Sequence, residues 1–97
     1  MNEKRFYVYI LAKGRNSTFY VGVTSDLIKR ISEHKNDINC AFTTQYGVKT
    51  LVYFEEHEEA ESAILREKRL KKWNRVWKMR LIEEKNPNWG DLYEDLL

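Results

Sequence analysis

The chain lacks most of what marks a specialised small protein. It has one cysteine, Cys40, among 97 residues. A lone cysteine cannot close an internal disulfide, so a stapled secreted scaffold is excluded and a reducing, cytoplasmic setting is expected. No Cys/His cluster has the spacing of a zinc site. No apolar run approaches the roughly 20 residues that span a bilayer, so no membrane partner is expected. The opening stretch MNEKRFYVYILAKGR has too short an apolar core and too many charges for a secretory signal. Proline occurs once and glycine four times, which argues against fibrous or disordered chains.

Aromatic residues are abundant, with three Trp, six Tyr and four Phe. They supply large pieces for a core. Domains usually run to roughly 100–150 residues, so residues 1–97 are expected to form one domain. The net charge is only +2, but it is unevenly spread. Arg66 to Arg80 holds eight basic residues and one acid, Glu67. An acidic run from Glu55 to Glu61 comes just before it. Such a basic block attracts phosphate backbones, and its plainer use is a solvated helix face.

In order along the chain, residues 5–12 are apolar at both parities, as in a central strand covered on both faces. Lys13 to Ser17, with Gly14 and Asn16, is turn chemistry. Residues 18–23 read as a second strand completing a hairpin. Gly22 inside it marks a bulge or a close approach to the backbone. Thr24, Ser25 or Asp26 caps a helix with Leu27, Ile28 and Ile31 on its apolar side. Residues 35–48 read as mostly loop, with room for one helical turn, and Leu51 to Phe54 as a third strand. From His57 the spacing of Ala60, Ala63, Ile64 and Leu70 is helical. Trp73, Val76, Trp77, Leu81 and Ile82 continue it after a bend near Asn74. Asn86-Pro87-Asn88 stops it, and the tail from Leu92 can dock back. The expected class is α+β, in the order β-β-α-β-α-α, with a small sheet covered by helices.

Several polar residues sit where a core is expected. Arg30 and His34 are an i, i+4 pair bordering the Leu27–Ile31 stripe. An Arg stem covering the core edge and a locally packed His would account for them. Glu67 falls on the core side of its helix. A carboxylate there needs a cation, a strong donor or a metal. A salt bridge to Lys71 or Arg30 is one solution; ligation of a hard cation such as Mg²⁺ is the other. Tyr7 and Tyr9 share a parity and lie beside Tyr20 on the paired strand. Tyrosines in a small sheet usually pack. Beside an Arg, a His and a Glu they resemble phosphodiester chemistry, which needs an oriented water and positive charge for the developing oxyanion.

Taken together, these residues resemble the GIY-YIG nuclease superfamily, in particular its small single-domain members. Tyr7-Val8-Tyr9 stands for the first signature and Tyr20-Val21-Gly22 for the second, with ten residues between Tyr9 and Tyr20. Thr24 to His34 follows as Thr-x-Asp-Leu-x-x-Arg-x-x-x-His. Arg66-Glu67-Lys68-Arg69-Leu70-Lys71 matches the helix bearing the metal-binding acid. The ending, from Trp77-Lys78 to Asp91-Leu92-Tyr93, is similar to a standalone subgroup.

The resemblance implies a three-stranded antiparallel sheet flanked by helices. It implies that Tyr9 and Tyr20 line the site and that one of the pair helps deprotonate water. Arg30 would bind the scissile phosphate, and His34 would bond a tyrosine hydroxyl or the phosphate. Glu67 would hold a single Mg²⁺ or Mn²⁺. Tyr7 and Gly22 would shape the site. The basic side chains Lys68, Arg69, Lys71, Lys72 and Arg75 would meet nucleic acid, DNA before RNA, with no small-molecule cofactor. Tyr7 replaces the first motif glycine, Val23 stands where many members have Lys or Gln, and Asn74 is the nearest match to a further site asparagine.

The expected function is a metal-dependent endonuclease in DNA repair or processing, similar to the nuclease domain of the bacterial excision-repair incision subunit. A nucleic-acid-binding module with weak or lost chemistry is the alternative. A protein-interaction domain using the acidic run and the tail is a third reading. The expected assembly is a monomer or a weak homodimer.

Overall fold

The apolar pattern near the N-terminus becomes a sheet. A computed structural model describes residues 4–15 and 17–97. Strand β1 (Phe6–Ala12) pairs antiparallel with β2 (Phe19–Thr24) on one side and with β3 (Thr50–His57) on the other, giving the order β2-β1-β3. The central position of β1 explains its double-sided apolarity. Val8, Ile10 and Ala12 face one layer, Tyr9 and Leu11 the other, and all five are buried. At the hairpin, the Ser17 hydroxyl and backbone N–H both donate to the Gly14 carbonyl, at 2.8 and 3.3 Å. Asn16, expected in this turn, lies outside the described residues.

Helices cover both faces, as an α+β chain requires. Helix α1 (Leu27–Lys35) starts where the Asp26 side chain accepts the Lys29 N–H, and it buries Leu27 and Ile31 against Tyr9, Leu11 and Leu51. A short α2 (Ala41–Tyr46) occupies the segment expected to be mostly loop. It ends at Gly47, whose φ of +65° is a conformation that glycine adopts without strain. On the opposite face lie α3 (Ala60–Lys72) and α4 (Arg75–Lys85), which insert Ala63, Leu70 and Ile82 among Val8, Ile10, Val21 and Val52. A last turn, α5 (Tyr93–Leu96), brings Leu96 and the neighbouring Leu92 back beneath the α1 face. The expected sheet and element order hold, with α2 and α5 as added short helices.

Two expectations are corrected. The third strand runs on through His57, because Glu55, Glu56 and His57 pair with Val8, Tyr7 and Phe6. Of the acids at its end, Glu55 is partly buried and Glu56 is exposed, and both take side-chain partners. Glu55 accepts from Tyr53, from His57 and, through both its oxygens, from the single Arg66 Nε–H, while Glu56 accepts from Tyr7. Ile64, Val76 and Trp77 keep helical spacing but are about half exposed, so the buried stripe is narrower than their periodicity suggests. Asn74 accepts the Trp77 N–H at 2.9 Å as the cap of α4, an ordinary task for an asparagine before a helix.

Candidate active site

The hairpin register places the tyrosines. Tyr9 lies opposite Gly22 and Leu11 opposite Tyr20, so Tyr9, Tyr20 and the missing side chain of Gly22 share the α1 face. A Cβ on Gly22 would come within 2.5 Å of the Tyr9 ring and hydroxyl. The group that approaches this backbone is therefore the Tyr9 ring itself. Gly22 lets that ring lie flat across β2 and reach α1.

There it meets His34. The Tyr9 hydroxyl and His34 Nε2 are 2.9 Å apart, and His34 Nδ1 is 2.8 Å from Thr43 Oγ1. The Thr43 hydroxyl donates its single proton to the Cys40 carbonyl, which can only accept. Thr43 therefore accepts from His34 Nδ1–H, which leaves Nε2 bare to accept from Tyr9. The resulting chain runs Tyr9 to His34 to Thr43 to the Cys40 carbonyl. Burial, with the nearby Arg30 cation, pushes the His34 pKa down to about 4, so the imidazole is neutral near pH 7. Burial also holds the Tyr9 hydroxyl well above the usual phenol range, and the Tyr20 and Glu67 charges add to this while Arg30 opposes it.

Arg30 is fixed at the rim. It donates to Glu33 Oε1 at 2.9 Å and to the Asn39 carbonyl at 3.1 Å. The Tyr20 ring centroid is 6.3 Å from that of Tyr9 and 5.3 Å from that of His34. Tyr20, Arg30 and His34 line a cleft of about 180 Å³ with Phe42 and Thr43. Tyr7 stands at the edge of this face, where its hydroxyl donates to Glu56 at 3.2 Å.

Glu67 comes from α3. Its side chain is 15% exposed and paired with Lys71 at 3.1 Å, the first of the two partners expected. Its charge acts on the Tyr9 hydroxyl, so it lies within electrostatic reach of the tyrosine cluster. No group of three His, Cys, Asp or Glu side chains placed to hold a metal occurs among the described residues. A lone carboxylate oxygen suits Mg²⁺, which often keeps its waters and binds through one or two carboxylates plus substrate phosphates. The donor set fits such an ion, held mainly once a phosphate joins it.

The basic residues divide. Lys68, Arg69 and Lys72 are exposed and unpaired among the described residues. Lys71 serves Glu67. Arg75 stacks on Phe19, 4.2 Å from its ring, and donates to the Arg15 carbonyl at 2.8 Å, which pins the β1–β2 turn to α4. Sequence reasoning missed Thr43, Glu33 and the Asn39 carbonyl. All three orient site residues, and two lie in the aperiodic segment that becomes α2 and its lead-in. Only the polar company of His34 could have hinted at Thr43.

The family model for the GIY-YIG catalytic domain matches residues 5–80. A UPF0213 protein of Clostridium perfringens is 41% identical over 80 residues, covering 82% of this chain and 85% of that one. A UPF0213 protein of Staphylococcus saprophyticus is 32% identical over 80 residues, covering 82% and 96%. The solution NMR structure of a UPF0213 protein of Bacillus halodurans superposes with a TM-score of 0.56 at 28% identity, covering 90% of this chain and 92% of that one. The paired signatures on β1 and β2 and the match across both sheet layers agree: this chain belongs to the GIY-YIG family, a family of nucleases.

Proposed function

We propose that the chain is a divalent-metal-dependent endonuclease that hydrolyses phosphodiester bonds, in DNA before RNA, for repair or processing. The observation that carries the reading is the Tyr9–His34–Thr43 chain, which passes through a neutral imidazole beside Arg30. Water attacking a phosphate held by Arg30 gives its proton to the Tyr9 oxygen. Tyr9 passes its own proton to His34 Nε2 as the bond to the leaving oxygen breaks, and that oxygen departs as an alkoxide that takes its proton from solvent. The Tyr9 hydroxyl already aims its proton at His34, which favours Tyr9 over Tyr20 as the relay. Thr43 holds the tautomer that keeps Nε2 open.

Arg30 offsets the charge growing on the nonbridging oxygens. A phosphate arriving beside Arg30 also weakens the cation's hold on His34, so the imidazole accepts a proton more readily with substrate present than without. Glu67 would hold Mg²⁺ or Mn²⁺, which supplies a Lewis acid for the leaving oxygen. Lys71 must then share or release the carboxylate.

The test is a cleavage panel of duplex, nicked, branched and single-stranded DNA and RNA with Mn²⁺ or Mg²⁺, comparing wild type with Glu67→Ala. The expected result is cleavage that falls roughly a hundredfold or more in the variant, the scale of losing one charge-stabilising group, with the melting temperature little changed. Equal cleavage by both proteins would sink the assignment of the metal to Glu67. The Glu67–Lys71 ion pair favours a second reading, a binding module whose carboxylate is already satisfied. Salt-sensitive binding that survives Glu67→Ala, with no cleavage by wild type, would select it.

A further inference from the structure

Helix α2 takes no part in the reaction beyond Thr43, yet it carries two large rings to the surface. Phe42 is 44% exposed and Tyr46 is 46% exposed. They lie one turn apart, with ring centroids 4.8 Å from each other. Phe42 packs on Tyr20 at 5.8 Å, and Tyr20 in turn adjoins Tyr9 and His34. A continuous run of rings thus leads from the buried Tyr9 hydroxyl to open solvent. It passes the cleft that holds Arg30 and His34. The fold does not require those outer rings, since Thr43 is the buried residue of α2.

Aromatic faces beside a phosphate-binding arginine have a natural ligand. Every nucleobase has a π-face, and it stacks on an exposed side-chain ring once the base is unpaired. A duplex offers base edges in its grooves instead. Arg30, Tyr20 and Phe42 line the same cleft, so one nucleotide's phosphate and a neighbouring base can be engaged together.

We propose that Phe42 and Tyr46 form a stacking platform for an unpaired nucleobase next to the scissile phosphate, which makes single-stranded nucleic acid the preferred substrate. The platform deepens the nuclease reading and rests on it for the position of the cut. Its base-binding property stands apart from the chemistry and is measured without it.

The experiment uses the full chain in EDTA, so that no bond is cut. It titrates a single-stranded DNA oligonucleotide carrying one 2-aminopurine against a duplex of the same sequence. Wild type should quench the 2-aminopurine. Phe42→Ala and Tyr46→Ala should each weaken single-strand binding roughly five- to hundredfold, the range for one lost base–aromatic stack, and leave duplex binding within about twofold. Phe42→Trp should retain affinity and quenching. Phe42 touches Tyr20, so Tyr46→Ala, which lies beyond the site, is the decisive variant, with circular dichroism and a melt to check its fold. Unchanged single-strand affinity in Tyr46→Ala, an equal loss on duplex, or no quenching by wild type overturns the proposal. The nuclease reading fails in a different way: wild type that binds and quenches but cuts nothing with Mn²⁺ keeps the platform and removes the hydrolysis.

Discussion

At the scale of single residues, the site depends on a side chain that is absent. Glycine inside a strand is ordinarily a weakness, and alanine there usually gains stability by restricting the unfolded chain. Gly22 reverses that expectation. Its added Cβ would meet the Tyr9 ring end at 2.5 Å, and that ring is 1% exposed and tied to His34. The ring cannot swing aside without leaving its bond. Gly22→Ala should therefore destabilise the fold by about 1–3 kcal/mol, the usual range for overpacking. It should also cut cleavage by at least tenfold through displacement of the Tyr9 hydroxyl. Gly14→Ala is the control, because its Cβ would meet only Ser17 Oγ at 3.9 Å. Urea unfolding and the cleavage assay on both variants measure this. A Gly22→Ala protein as stable and as active as Gly14→Ala would place the ring elsewhere. The sequence pointed to a close approach at Gly22. It could not say that the intruder is a ring of the neighbouring strand, because that follows from the hairpin register.

At the scale of elements, the C-terminal segment is held by one asparagine. Asn86 is 8% exposed. Its Nδ2 donates to the Val52 and Gly90 carbonyls at 3.0 and 2.9 Å, and its Oδ1 accepts the Gly90 N–H at 3.2 Å. The turn it shapes delivers Asp91, whose carboxylate accepts the Leu51 and Tyr93 N–H groups and pairs with Lys35. Asn86→Ala would leave the Val52 carbonyl buried without this donor and loosen the turn. It should cost about 2–4 kcal/mol, read as a lower urea midpoint, because several buried polar contacts go at once. A change within about 0.5 kcal/mol, the range of neutral surface substitutions, would show that the tail is not held through Asn86. From sequence, Asn86 is a helix stop and nothing more, since its carbonyl partners are fixed only by tertiary packing. Strand β1 was legible because a central strand must be apolar on both faces. Helix α2 was not, because its buried side chain is a threonine serving His34 and its rings face outward, which leaves no amphipathic period to read. The exposed Val76 and Trp77 misled in the opposite direction, having helical spacing without burial.

At the scale of the whole molecule, the sheet separates two kinds of work. One face carries Tyr9, Tyr20, Arg30 and His34, while α3 and α4 on the other carry most of the basic block. The buried histidine makes folding itself sensitive to acid. His34 titrates near 4 in the folded chain, against about 6.5 when unfolded, because burial and Arg30 oppose its charge while Glu33 only partly compensates. Between those values the unfolded chain takes up a proton that the folded chain refuses. Stability therefore rises with pH through this window and falls as pH drops from about 6.5 to about 4. The full shift corresponds to about 3 kcal/mol, since one unit is roughly 1.4 kcal/mol. For a domain of this size that lowers the melting temperature by about 10 °C or more. Glu55 and Asp91, both held below the usual carboxylate range in spite of burial, contribute in the same sense at lower pH. Their stabilisation is present above the unfolded carboxylate pKa and is lost below about pH 4, so they deepen the acid loss beneath the histidine window. Melting curves from pH 7.5 to 3.5 should show two stages in wild type. In His34→Gln, which keeps a polar group but cannot titrate, the stage between pH 6.5 and 4 should flatten while the lower stage remains. An acid slope in that window as steep in the variant as in wild type would mean that some other group binds the proton, and that His34 is not the neutral end of the Tyr9 relay.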